Sequence, residues 1–296
     1  TAKKDLVSSI SQIKGEALLN QPVARVDNML QGRAAGVNVV STSGEPGAAS
    51  TIRIRGMSSI NGNNKPLFVI DGFIVGTDFN LSNLNVNDIE SIEVLKDASS
   101  LAIYGTRGAA GVILISTKSG LSTQEGKVDV SINHYSSSQI VYNYPEMASI
   151  GVWAEYWNEG VTYTDTDYGT NDPSLADNAV HAPNWQSIVP TDWRGLITRN
   201  GRIDNTDVNI SGNSGKANYF ISYNRFAQEG IIKSSGLERN SLRANFDLNV
   251  SDNIRTGIRM AITDRKQEHN KVNFQGVYFT LLPTQSVYND DGSYNG

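Results

Sequence analysis

The chain has 296 residues, with 25 Lys and Arg against 30 Asp and Glu, a formal net charge of −5 and no cysteine. That length gives room for about two domains of ordinary size. The missing cysteine excludes a disulfide framework, thiolate metal sites and cysteine nucleophiles, and the acid surplus argues against a nucleic-acid partner.

Residues 1–120 carry 11 basic and 10 acidic side chains, and residues 121–296 carry 14 and 20, so the negative charge lies in the second part. No apolar run reaches the ~18 residues of a spanning helix, and no signal peptide is visible at Thr1. Early in the chain, Val23, Val26, Met29, Leu30 and Ala34 recur at helical spacing and predict an amphipathic helix ending near Gly36. In STIRIRG, Ile52 and Ile54 alternate with Arg53 and Arg55, as on a strand with two unlike faces. PLFVIDG and GVILISTK read as further strands. Between them, NDIESIEVLKDASSLA places Ile89, Ile92 and Leu95 on one helical face, with Asp88 in the first turn. The expectation for this part is a small α+β domain.

From about Lys127 the period becomes two. Val128, Val130 and Ile132 alternate with polar residues, as do Leu242, Ala244, Phe246, Leu248 and Val250, and then Ile254, Ile258, Met260 and Ile262. A further pair runs over 204–212 and 217–228. These runs of about 9–12 residues exceed a soluble strand of ~5–6 and match a tilted membrane strand of ~9–11. The turns SGNSGK and SDN are short. The alternate connections, about 139–203, a dozen residues around 228–239, and everything after Arg265, are long, which is the rhythm of a transmembrane barrel. A soluble antiparallel sandwich with one wet face gives the same alternation. About five strands are visible, too few to close, and an open edge in lipid leaves unpaired backbone groups. The chain is therefore read as either a sandwich or a fragment of a longer protein.

Residues 29–72 (MLQGRAAGVNVVSTSGEPGAASTIRIRGMSSINGNNKPLFVIDG) and 85–120 (NVNDIESIEVLKDASSLAIYGTRGAAGVILISTKSG) closely resemble the plug domain of SusC/RagA-type TonB-dependent outer-membrane transporters. The stretch from RGLITRNGRIDNTDVNISG to NVSDNIRTG is similar to that family's opening barrel strands. The resemblance implies an α+β plug over residues 1–122 inside a transmembrane antiparallel β-barrel that starts at residue 123. The full barrel would have about 22 strands. It further implies import of oligosaccharides or peptides, a SusD-like surface lipoprotein as partner, TonB acting through an upstream TonB box, contact with outer-membrane lipid, and no cofactor. An iron-chelate or vitamin receptor of the same architecture, and a soluble carbohydrate-binding sandwich, are the competing functions.

In transporters of this kind basic plug residues pair with acids of the wall, which points to Arg53, Arg55 and Lys96; ordinary solvated charge is the other reading. Substrate should meet upward-facing plug loops, through Asn61, Asn63 and Asn64 of one loop and Asp78, Phe79 and Asn80 of the next. Simple turn formation explains the Asn and Gly there equally well. Asp165, Asp167 and Asp172 could hold a structural calcium ion in an extracellular loop, without EF-hand spacing. GNSGK lacks the P-loop spacing and reads as a hairpin turn, and GTRGAAG precedes a strand, unlike a dinucleotide fingerprint. His134, His181 and His269 are too far apart for a metal motif. Trp153, Trp157, Trp185 and Trp193 all fall in the first long connection, and packing is expected for the first two. No catalytic constellation emerges, so an enzyme is not expected.

Overall fold

The computed structural model describes residues 11–15, 26–41, 43–56, 64–142, 148–153, 155–156, 190–269, 287–288 and 293. Strand β1 (Ser11–Lys14) precedes a short helix α1 (Val26–Leu30) and a hairpin of β2 (Val37–Ser41) and β3 (Ser50–Ile54). A second hairpin joins β4 (Leu67–Ile70) to β5 (Phe73–Gly76); β6 (Ile89–Leu95), helix α2 (Ala98–Leu101) and β7 (Val112–Thr117) complete the region. Five of these strands form one sheet in the order β1-β6-β7-β4-β5, antiparallel except for the β4–β7 pair. The β4–β5 turn is Asp71-Gly72, with φ of 49° and 86°. Positive φ at both central residues is the geometry that Asp-Gly favours in a hairpin.

The interior of this plug is aliphatic. Val26, Met29 and Leu30 of α1 pack with Ile52 and Ile54 of β3, Ile92 and Val94 of β6, and Ile113 and Ile115 of β7. The helix is shorter than its periodicity predicts: it stops at Leu30, and the chain turns through Gly32 and Gly36, both at positive φ. The predicted helix over residues 87–102 is corrected. Residues 89–95 are strand β6, and helix begins only at Ala98. Ile89, Ile92, Val94 and Leu95 are buried because β6 is central, paired on both sides by β1 and β7. Tertiary pairing and branched side chains override a spacing that also suits a helix.

The second region is a sheet in the order β12-β11-β10-β9-β8, with β8 at Lys127–Gln139, β9 at Gly201–Asn213, β10 at Ala217–Glu229, β11 at Gly236–Ser251 and β12 at Ile254–Glu268. Strands β9 to β12 pair antiparallel, each with the next. Their 13 to 16 residues exceed the expected 9–12. One consequence corrects the sequence reading. The connection expected to run a dozen residues around 228–239 is only 230–235, because β10 and β11 continue as polar ladder on both sides of it. The short turns are as expected: residues 214–216 and 252–253.

The faces of this wall invert the pattern of a soluble sheet. Val128, Val130, Ile132, Phe246, Leu248, Val250, Ile254, Ile258 and Ile262 are exposed, with Ile132 at 70% and Ile258 at 65%. The alternate positions Asp207, Asn218, Asn224, Arg239, Arg243 and Asn245 are buried, Asn245 at 0%. In water that arrangement is unfavourable on both faces. With hydrocarbon outside and a polar plug inside, it is favourable on both. Near the long connections the outward residues turn polar, at Glu238 and Asn240 of β11 and Asp264, Lys266 and Glu268 of β12.

The plug and strands β8 to β12 fall in one compact unit. A second unit draws on residues 139–200, 231–234 and 270–296. Within it, helix α3 (Trp193–Ile197) is capped by the Asp192 carboxylate, which accepts from Gly195 N at 2.9 Å, while Lys233 Nζ donates to the carbonyls of Gly195 and Leu196.

Candidate functional site

The seam between plug and wall is built by the inward residues of β9 to β12. On β11, Arg239 donates through Nη1 to the carbonyls of Ser82 (2.5 Å) and Leu84 (2.8 Å), and through Nη2 to Asn224 Oδ1 at 2.9 Å. Its guanidinium lies over the Phe226 ring, 5.3 Å from the centroid. Four residues on, the same face brings Arg243 to two plug carboxylates, Asp88 at 3.3 Å and Asp71 at 3.5 Å. Asp71 is already fixed by Thr117, whose backbone N and Oγ1 each donate to it at 2.7 Å. Asn245 then donates to Thr117 Oγ1 at 2.9 Å and to the Lys118 carbonyl at 2.7 Å. Asn218 of β10 reaches the Ser119 carbonyl at 2.9 Å.

Toward the long connections, three alternate residues after β12's midpoint grip three consecutive plug residues. Arg265 donates to the Gly47 carbonyl at 2.8 Å, Gln267 to the Pro46 carbonyl at 2.8 Å, and His269 Nδ1 lies 3.2 Å from Glu45 Oε1. Two-residue spacing along a strand keeps such groups on one face. At the opposite end the backbone itself closes on the wall. Gly120 has φ +81°, and a Cβ there would stand 2.0 Å from the Tyr219 carbonyl oxygen.

Charge in the middle of the seam is unbalanced. Asp71, Asp88 and Asp207 face Arg239 and Arg243, and Asn85 Nδ2 bridges two of the carboxylates, donating to Asp207 at 2.5 Å and to Asp88 at 3.0 Å. Burial pushes the Asp88 carboxyl above the usual aspartate range, and neighbouring Asp207 adds to this, while Ser222 and Arg243 oppose it. Loss of water outweighs the guanidinium's attraction.

The residues singled out by sequence lie elsewhere. Arg55 stands just past β3 at φ 58° and pairs with Asp97 of the plug at 2.6 Å. Lys96 donates to the Ala35 carbonyl at 3.2 Å, and Arg53 is on the exposed face of β3. Asp78 pairs with Lys65 at 2.6 Å, Phe79 packs near Phe68, and Asn80 caps the turn at Ser82 N. Asn64 is half-buried. Asn61, Asn63, the acidic group Asp165, Asp167 and Asp172, His181, Trp157 and Trp185 lie outside the described residues. Sequence reasoning missed Arg239, Arg243, Arg265 and Asn245. Their signal is alternation: where the aliphatic row of a strand belongs to lipid, its charged row is the buried one.

Residues 2–112 match the family model of the TonB-dependent Receptor Plug Domain. TonB-dependent receptor P26 of Formosa agariphila is 47% identical over 295 residues, covering 99% of this chain and 28% of that protein. TonB-dependent receptor SusC of Bacteroides thetaiotaomicron is 30% identical over 302 residues, with the same shares of 99% and 28%. A solved structure of the RagAB peptide transporter superposes with a TM-score of 0.74 at 26% identity, covering 88% of this chain and 31% of that one. Plug fold, inverted wall and seam together define a TonB-dependent receptor: an α+β plug domain with antiparallel strands of a transmembrane β-barrel. Within that class the chain belongs to the SusC/RagA type, and it spans 28% of the length of the curated relatives it matches.

Proposed function

We propose that the complete protein imports oligosaccharides across the outer membrane of a Gram-negative bacterium. It does so as the barrel partner of a SusD-like surface lipoprotein, with TonB supplying the pull that moves the plug. The observation that carries this reading is the seam: a buried polar wall face, wired to the plug by arginines and amides, behind an aliphatic outer face. Hydrogen bonds to a plug exchange for bonds to water when the plug moves, at a net difference of about 1 kcal/mol each. An apolar seam of the same area would resist opening at ~25 cal/mol per Å².

Peptides are the second cargo, a reading favoured by the likeness to the RagAB peptide transporter. Asn61, Asn63, Asn64, Asp78 and Phe79 are proposed to face the substrate, with Asn80 holding their loop in place. Arg53, Arg55 and Lys96 are proposed to face wall beyond β8 to β12. The test is uptake of fluorescent oligosaccharides and peptides by cells carrying the full-length protein, with and without TonB, together with purification of its bound lipoprotein. Import that persists without TonB, or a protein that stays monodisperse in water without detergent, would refute the proposal.

A further inference from the structure

Beneath the loop of residues 77–81 the plug holds a half-open cavity of about 140 Å³. Phe68 and Phe79 line it, their ring centroids 6.3 Å apart. Asp27 of α1 also lines it, 3% exposed, and accepts a hydrogen bond from Ser50 Oγ. At the rim, Lys65 and Asp78 form an exposed ion pair. Asn80 ties the cavity's position to the wall: its Nδ2 donates to the Gly47 carbonyl, the same oxygen gripped by Arg265 of β12. The cavity therefore lies near the strand ends that carry the long connections, the side from which cargo arrives in the function proposed above.

Size and chemistry narrow the occupant. An apolar cavity of about 150 Å³ accepts one benzene molecule, so this one is matched to a single six-membered ring. Its lining mixes signs. The Lys65 ammonium at the mouth disfavours a cationic side chain, and the carboxylates of Asp27 and Asp78 disfavour an anionic one. A purely apolar side chain would strip water from the Lys65–Asp78 pair. A neutral ring with a C–H face and a rim of hydroxyls satisfies each group: the face against phenylalanine, hydroxyl donors to carboxylate, hydroxyl acceptors to ammonium.

We propose that this cavity receives one pyranose unit of an oligosaccharide, held against the Phe68–Phe79 pair and hydrogen-bonded to Asp27, Lys65 and Asp78. The proposal rests on the import reading and names where on the plug its cargo is felt. It is tested on the full-length protein in detergent by saturation-transfer NMR with methyl glucoside, methyl galactoside and methyl mannoside as probes, and glycyl-lysine and glycyl-glutamate as the peptide arm. At least one glycoside should show transfer to its ring protons. Filling the cavity with Ala49→Leu should weaken that glycoside about tenfold or more, the ratio that corresponds to roughly 1.4 kcal/mol. The rim variant Asp78→Asn, at an exposed position that leaves packing alone, should weaken it about threefold. Glycoside affinity unchanged in both variants, or transfer to the dipeptides alone, overturns the assignment. Whole-cell uptake separates the two levels. Oligosaccharide import with unchanged half-saturation in Ala49→Leu removes the cavity and keeps the transporter, whereas no oligosaccharide import by the wild type removes the parent reading.

Discussion

Ile92, Ile113 and Ile115 sit in a plug interior made of aliphatic side chains, while Arg239, Arg243 and Asn245, also buried, meet the same domain through carbonyls, carboxylates and a threonine hydroxyl. The two regions use opposite chemistry, as the proposed movement of the plug requires. Aliphatic packing keeps the plug a folded body, because its close-packed core loses contact energy on any expansion. Directional polar contacts hold that body in place and can be re-formed after each break. The comparison teaches that burial alone does not identify a folding core: in this chain some of the least exposed side chains belong to a contact surface.

Five substitutions sharpen this contrast, taken from the largest effect downward. Arg243→Ala leaves Asp71 and Asp88 buried without their cation, and should loosen the plug by about 3–5 kcal/mol. The readout is protease access to the plug in the full-length protein, together with ion leak through a planar bilayer. Ile92→Ala should cost about 2–5 kcal/mol, lost from the plug's own unfolding with no comparable rise in leak before the domain melts. Equal leak from both variants would erase the distinction between the two regions. Asn245→Ala removes donors to Thr117 and Lys118 and should cost about 1–3 kcal/mol.

A pH-dependent effect is expected at Asp88, where the sign is informative. Its carboxyl titrates above its value in an open chain, so the seated plug binds the proton more tightly than the released one. That contribution is complete below the ordinary aspartate value of about 3.9 and fades as pH rises through the raised one. Seating should therefore strengthen on acidification, an effect that Asp88→Asn, which mimics the protonated acid, abolishes. Seating that weakens through the same pH range in the wild type, and not in the variant, would contradict the burial argument. At the exposed Arg55–Asp97 pair, by contrast, Arg55→Ala should change plug stability by no more than about 1 kcal/mol.

Much of the architecture was legible in the sequence, and the failures have physical causes. Period-two rows such as Ile254, Ile258, Met260 and Ile262 located the wall and its outward face, and SGNSGK and SDN located its short turns. Ile89, Ile92 and Leu95 misled because a three-residue spacing fits a helix, while their burial comes from β1 and β7, both distant in sequence. The seam was legible only in half. Polar residues at alternate positions were visible, but attention went to Arg53 and Arg55 on the plug, whereas in β8 to β12 the guanidinium groups are supplied by the wall and the plug answers with Asp71, Asp88 and backbone carbonyls. Which of two unlike faces a partner covers depends on three-dimensional pairing that local spacing does not encode.

The stretch from the end of β7 at Thr117 to the start of β8 at Lys127 has a mechanical consequence. Nine residues, 118–126, can extend to about 30 Å at most, and they leave the plug on the side where Gly120 passes close against β10. A plug drawn out of its seat stays leashed to the rim it came from, so the stopper that leaves a cylinder is the one that returns to it.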